Sequence, residues 1–410
     1  MQQMCIAGRC SQSALLVSIH NLKGQNMPGL GDTIAQLVRN SRQRDAAAYA
    51  APVASAATLA EGVGFGLNPG NLRMLAYVPQ GLPPGAPLVV ALHGCTQTAA
   101  GYDAGAGWSR LAERHGFAVL LPEQQRANNP NGCFNWFQTA DTARMGGEAE
   151  SIRQGIAWMV SGHRLDPARV HISGLSAGGA MAAAMLATYP EVFAAGAIIA
   201  GLPYGAAGSV PEAFEAMGGR RIHPARAWGD LVRRASPHRG PRPRIQIWQG
   251  GADSTVRPGN AAELVKQWAD VHGLPAAPSV ADRVDGAMHE AWHGADGTVV
   301  LESFMVPGMQ HGTPLNLGAP DLDGSVGRAG PFMLDAGISS TWHQARSWGL
   351  LTAAAQARTE TARTEAARAA AGPLPGVSLP EFALPIAARV GSVAVVIDKA
   401  LRSAGLLKPG

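Results

Sequence analysis

Between about residues 70 and 350 the chain alternates short apolar runs with longer segments whose apolar residues recur every three or four positions. Pro87–Leu92 (P-L-V-V-A-L) is apolar throughout, as expected of a strand buried on both faces. Leu72–Val78, Phe117–Leu121, Val170–Ser173, Ala195–Ala200 and Ile245–Trp248 are predicted as further strands. Trp108–His115, Glu148–Val160, Ala177–Tyr189 and Ala261–Val271 are predicted as helices, and Ile152, Ile156 and Met159 mark one buried helical face. Strand and helix in alternation predict an α/β fold, with a mostly parallel central sheet and helices on both faces. Near the end, Arg283–Trp292 and Val299–Val306 flank Gly294-Ala-Asp-Gly297 and predict a hairpin, and a helix over Ser340–Leu351 closes the domain.

The flanks lack this alternation. Residues 1–65 read as an N-terminal extension, with a short amphipathic helix at Leu30–Arg39 and an Ala-rich connector at Ala46–Ala60. Residues 66–352 form the predicted catalytic domain. Residues 353–410 read as an Ala/Arg-rich helical tail: the run 353–371 has good helix propensity and is broken at Gly372–Gly376. At 46% hydrophobic residues the chain can bury a large core. A net charge of +4, with only short clusters such as Arg220–Arg221 and Arg233–Arg234, offers no basic run and excludes a nucleic-acid partner as an expectation. No apolar run is long enough to predict a membrane-spanning segment. Met1–Arg9 carries little positive charge ahead of the short apolar Ala14–Ile19, so no signal peptide is predicted and the cytoplasm stays open as the compartment. Four cysteines, Cys5, Cys10, Cys95 and Cys133, permit bridges without requiring them.

The chemistry centres on Gly174-Leu175-Ser176-Ala177-Gly178, between a predicted strand and a predicted helix of small residues. A serine on so sharp a turn is pushed out of the sheet, and side chains two positions either side would clash, so glycine stands there. Ser176 is the expected nucleophile. Its oxyanion needs two N–H donors. Ala177, the next residue, supplies one, and Cys95, in Leu92-His93-Gly94-Cys95-Thr96 after the strand Pro87–Leu92, the other. His93 is expected to brace this loop at the edge of the substrate site, a packed core histidine being the other reading.

In this arrangement the acid and then the base follow the serine along the chain. Asp253, in Gln249-Gly-Gly-Ala-Asp253 just past a strand, is the expected acid, against Asp230 and Asp270. His311, in the loop Pro307-Gly-Met-Gln-His-Gly312, is the expected base, against His272, His289, His293 and His343. His289-Glu-Ala-Trp-His293 matches the spacing of a zinc-protease helix. Glycines and Asp296 follow at once, so the segment reads as a strand running into a turn, and no metal or other cofactor is expected.

Together these motifs resemble the polyhydroxybutyrate depolymerase-like esterases, which include feruloyl and acetylxylan esterases. The matching pieces are L-H-G-C-T-Q at 92–97, G-C-F-N-W-F at 132–137, G-L-S-A-G-G at 174–179, G-A-D at 251–253, P-G-M-Q-H-G at 307–312 and G-I-S-S-T at 337–341. The resemblance spans about 70 to 352 and implies an α/β-hydrolase fold. It implies a serine hydrolase of small esters or hydroxyacid polyester oligomers, with Ser176, Asp253 and His311 as triad and Cys95 and Ala177 as oxyanion donors. It also implies that Trp136 lines the substrate cleft and that Cys95 and Cys133 are bridged. Feruloyl or acetylxylan ester hydrolysis is the alternative within enzymes, and a non-catalytic hydrolase-fold binding protein the alternative outside them. The tail, aromatic only at Phe382, offers no platform for a solid polymer, which favours soluble oligomers.

Overall fold

The computed structural model describes residues 58–318 and 323–352. The predicted helix at Leu30–Arg39 and the tail from 353 lie outside the described residues.

Ten strands form one sheet, in the order β1 (Ala60–Gly62), β2 (Arg73–Tyr77), β4 (Ala118–Glu123), β3 (Leu88–Leu92), β5 (Val170–Leu175), β6 (Ala195–Ile199), β7 (Arg244–Gly250), β10 (Val299–Val306), β9 (Ala287–His293), β8 (Val280–Val284). The six from β4 to β10 run parallel, and an antiparallel pair finishes each side. β11 (Thr313–Leu315) and β12 (Met333–Asp335) form a small separate sheet. In sequence order the helices are α1 (Ala99–Ala106), α2 (Trp108–His115), α3 (Thr139–Thr142), α4 (Gly147–His163), α5 (Ala177–Thr188), α6 (Val210–Met217), α7 (Ala225–Ala235), α8 (Gly259–His272) and α9 (Ser340–Ser347).

The period of two along each central strand builds two cores. Leu88, Val90 and Leu92 face α4, α5 and α8, packing with Ile152, Ile156, Met181, Leu264 and Trp268. Val89 and Ala91 face α1, α2 and α9, packing with Tyr102, Trp108, Leu111 and Trp342. After β3 the chain crosses to β4 on one side, and after β5 it proceeds to β6 on the other. The C-terminal ends of β3 and β5 therefore flank a crevice where the strand order reverses, the usual ligand position in such sheets.

Two readings of the sequence change. The sheet already begins at Ala60, inside the segment read as an extension; β1 is three residues long and mostly exposed, too short to show an apolar pattern. Arg283–Trp292 is two strands rather than one. Asp285 and Gly286 both take positive φ (48° and 83°) and turn β8 into β9, the conformation that Asp-Gly favours in a two-residue hairpin.

Candidate active site

β5 delivers Ser176 into a backbone conformation, φ 58° and ψ −116°, that non-glycine residues rarely adopt. The turn is held by the Ser176 N–H donating to Ile199 O at 2.8 Å. Its tightness explains the flanking glycines. A Cβ on Gly174 would lie 2.2 Å from Gly178 O, and one on Gly178 would lie 2.4 Å from Leu92 O. Backbone cannot move aside as a side-chain tip can, so Gly174→Ala is expected to unfold at distinctly lower urea concentration than the parent, and an unchanged midpoint would show that the elbow relaxes.

His311 hangs from the loop after β10. Its Nε2 lies 2.9 Å from Ser176 Oγ and its Nδ1 2.7 Å from Asp253 Oδ2. With Nδ1–H donating to the carboxylate, Nε2 is the acceptor facing the serine hydroxyl. Asp253 is buried, and its oxygens are further held by the N–H groups of Thr255 (2.8 Å) and Val256 (2.9 Å) and by Gln249 Nε2 (3.0 Å). The loops carrying acid and base are stitched together: Gly251 N–H donates to Val306 O and Ala252 N–H to Met309 O. A Cβ on Gly250 would strike Met309 O and Gln310 O at 2.4 and 2.5 Å, which accounts for the glycine there.

The rivals are engaged elsewhere. Asp230 and Asp270 pair with Arg233. His289 lies between Asp282 and Glu302 at 2.8 and 3.3 Å, His343 Nε2 bonds Asp285, and His272 Nε2 faces Pro243 O. His289 and His293 are on strand β9, and among the described residues no cluster of metal-binding side chains occurs.

Cys95 lies within the loop after β3, joined by a disulfide to Cys133. The neighbouring amides fix the loop: Gly94 N–H donates to Gln97 Oε1 and Thr96 N–H to Asn131 O, each at 2.8 Å. Ala177 is the first residue of α5, where a helix leaves its amides without intrahelical acceptors. The bridge closes a loop with a sequence separation of 38. Replacing both cysteines by alanine is expected to lower unfolding free energy by about 4 kcal/mol, the chain-entropy value for such a loop; urea unfolding checks it, and a loss below about 1 kcal/mol would mean the segment is held without it.

A cleft opens over Ser176 and His311, lined also by Gly94, Cys95, Leu175, Met217, Thr255 and Phe332. Trp136 and His93, expected at the substrate, are not among these. Trp136 is half-buried, packed against Cys133 and Ala177 and against the cluster of Ala180, Leu202 and Val256. His93 is fully buried: Nε2 accepts the Gln124 N–H at 3.1 Å, Nδ1–H donates to Gly94 O at 2.8 Å, and burial holds its pKa below the usual imidazole range. It braces the loop from behind. Met217, Phe332 and Thr255 carry no motif of their own; Thr255 alone was within reach of the sequence, two residues past Asp253.

Residues 74–291 match the family described as Esterase PHB depolymerase. The chain is 44% identical over 320 residues to poly(3-hydroxyalkanoate) depolymerase C of Paucimonas lemoignei, covering 76% of this chain and 77% of that one. It is 34% identical over 271 residues to an acetylxylan esterase of Coprinopsis cinerea, covering 64% and 71% respectively. Among solved structures it is similar to the acetyl xylan esterase from Aspergillus awamori, with a TM-score of 0.58 and 30% identity over 62% of this chain and 94% of that one.

Proposed function

Because the chain belongs to the PHB depolymerase family of esterases and is a carboxylic-ester hydrolase of the α/β-hydrolase fold, we propose that Ser176, His311 and Asp253 are its catalytic triad and short hydroxyacid oligoesters its substrates. The observation that carries the triad is the continuous pair of hydrogen bonds, Ser176 Oγ to His311 Nε2 and His311 Nδ1 to Asp253 Oδ2. His311 takes the serine proton as the hydroxyl attacks the ester carbonyl, and the imidazolium formed is stabilised by Asp253. The amides of Cys95 and Ala177 donate to the developing oxyanion. Collapse expels the alcohol, protonated by His311; water, deprotonated by the same base, then attacks the acyl-enzyme and releases the acid.

The substrate reading rests on the lining. Leu175, Met217 and Phe332 give an apolar wall suited to a short aliphatic acyl chain, and Thr255 adds a hydroxyl beside it. The likeness to a polyhydroxyalkanoate depolymerase supports hydroxyacid esters, and the likeness to acetylxylan esterases favours acetyl esters as a second reading. A panel of hydroxybutyrate oligomers, acetylated xylan, feruloyl esters and nitrophenyl esters separates them. The highest kcat/KM is expected on the oligomers; preference for acetylated xylan would overturn the assignment. A fluorophosphonate probe is expected to label Ser176, which a non-catalytic binding protein would not allow.

The chemistry proposed needs no metal. Dialysis against a chelator is therefore expected to leave ester hydrolysis unchanged, and loss of activity restored by zinc would send the assignment back to the His289–His293 segment.

A further inference from the structure

Among the buried carboxyls that the mechanism above leaves unused, Glu148 is the most enclosed. Glu148, at the start of α4, is 1% exposed, and among the described residues no cation pairs with it. Burial and the neighbouring Asp141 push its pKa up to about 8, although the Asn135 N–H and Gln124 Nε2 both donate to it. A carboxyl kept at such a cost calls for a role beyond filling space.

Its partners lead in two directions to the same place. On one side Glu148 Oε2 accepts the Asn135 N–H at 2.8 Å, and Asn135 Oδ1 accepts Asn129 Nδ2 at 2.9 Å. Asn129 Oδ1 accepts the Asn131 N–H at 3.0 Å, and Asn131 O accepts the Thr96 N–H at 2.8 Å. On the other side Glu148 Oε1 accepts Gln124 Nε2, which also donates to Cys133 O at 3.1 Å. The Gln124 N–H donates to His93 Nε2, and His93 Nδ1–H to Gly94 O. The two arms end at Thr96 and Gly94, on either side of Cys95, and Cys95 is itself tied to Cys133.

We propose that Glu148 is a positioning residue for ester hydrolysis, fixing the Cys95 amide for the oxyanion through this ring of buried and part-buried hydrogen bonds, closed by the backbone from Gly94 to Thr96. The inference rests on the reading of Cys95 as an oxyanion donor. Glu148 touches no substrate; as a carboxylate it offers two acceptor oxygens to two donors, which neither an amide nor an alkyl side chain does. Without it the ring opens at its centre, and the Cys95 amide drifts from the position the oxyanion needs. A displacement of that kind costs on the order of 10²-fold in rate without changing how the ground-state ester binds.

The test compares Glu148→Ala, Glu148→Gln and Asn129→Ala in the full chain, using a soluble nitrophenyl ester and a trifluoromethyl-ketone inhibitor whose tetrahedral adduct places an oxyanion in the same site. Asn129→Ala opens the ring at a separate point and keeps the test available if a Glu148 variant does not fold. Glu263→Ala is the control: that carboxyl is 7% exposed and bonded to Trp228 Nε1 and the His223 N–H, away from the ring. Expected are kcat losses on the order of 10²-fold for Glu148→Ala and smaller ones for the other two, with KM within about threefold and ketone affinity falling in parallel with kcat. The control is expected to lose stability and keep kcat. Wild-type kcat in the folded ring variants, or a kcat loss matched by the control or unaccompanied by weaker ketone binding, overturns the proposal. Failure of the proposed function looks different: the wild-type enzyme itself would then not be labelled at Ser176 by a fluorophosphonate.

Discussion

Ser176→Ala is expected to lower ester hydrolysis by about 10⁴- to 10⁶-fold while the protein remains folded, because the residue supplies the attacking oxygen and no neighbour can replace it. The Ala side chain is smaller than serine and leaves the Ser176 N–H to Ile199 O bond in place, so the elbow keeps its anchor. What remains is the contribution of binding and of the oxyanion amides to direct attack by water. The measurement is kcat on a nitrophenyl ester beside the unfolding midpoint. More than a tenth of parent activity, in protein free of parent contamination, would sink the assignment.

Asp253→Asn is expected to cost about 10⁴-fold, although the two side chains have the same shape. The reason lies in how the carboxylate is held. Oδ1 accepts from the Thr255 and Val256 amides, so in the variant the carbonyl oxygen stays there and the new NH₂ points at His311. His311 Nδ1 must then accept, which moves the ring proton to Nε2, facing Ser176 with a donor where an acceptor is needed. The loss therefore falls on kcat, with KM little changed. An imidazole N–H spectrum distinguishes the tautomers. Activity within about tenfold of the parent would show that Asp253 does not set the tautomer.

The parallel core was legible because each central strand is a short apolar run bounded by turn residues, and Leu88–Leu92 shows it in the sequence as clearly as in the sheet. The residues around Ser176 were legible for a different reason: glycine spacing records backbone crowding, here the contacts at Gly174 and Gly178. Other parts left no such record. α1 (A-A-G-Y-D-A-G-A) has too many small residues to show a face, and it is specified by its Thr98 cap and by packing. The cleft wall was illegible because Met217 and Phe332 come from segments far apart in sequence that meet only in the fold. Trp136 and His93 stand within matching motifs, yet His93 is wholly buried beneath its loop and Trp136 packs against Cys133 and Ala177, and nothing in a motif tells which side of a loop a residue takes. The Glu148 ring is of the same kind: its asparagines look like ordinary loop residues until their partners are seen.

The antiparallel register of β9 on β10 separates two regions with opposite tolerance for change. Met305 pairs with Met288 at the catalytic end, and Val299 with His293 at the other, where Gly294–Gly297 makes the turn. An eight-residue strand spans roughly 26 Å, so that turn is remote from His311. It is therefore the natural place to graft a peptide tag or a whole domain. An insertion between Ala295 and Asp296 is expected to leave kcat within about twofold, whereas a single residue added between Gly308 and Met309 would break the stitch to Ala252 and abolish turnover. Equal damage from both insertions, measured on the same nitrophenyl ester, would mean that the outer hairpin steers the catalytic loops. In a lineage of such proteins, length variation would accumulate at the far turn and be absent from the near one.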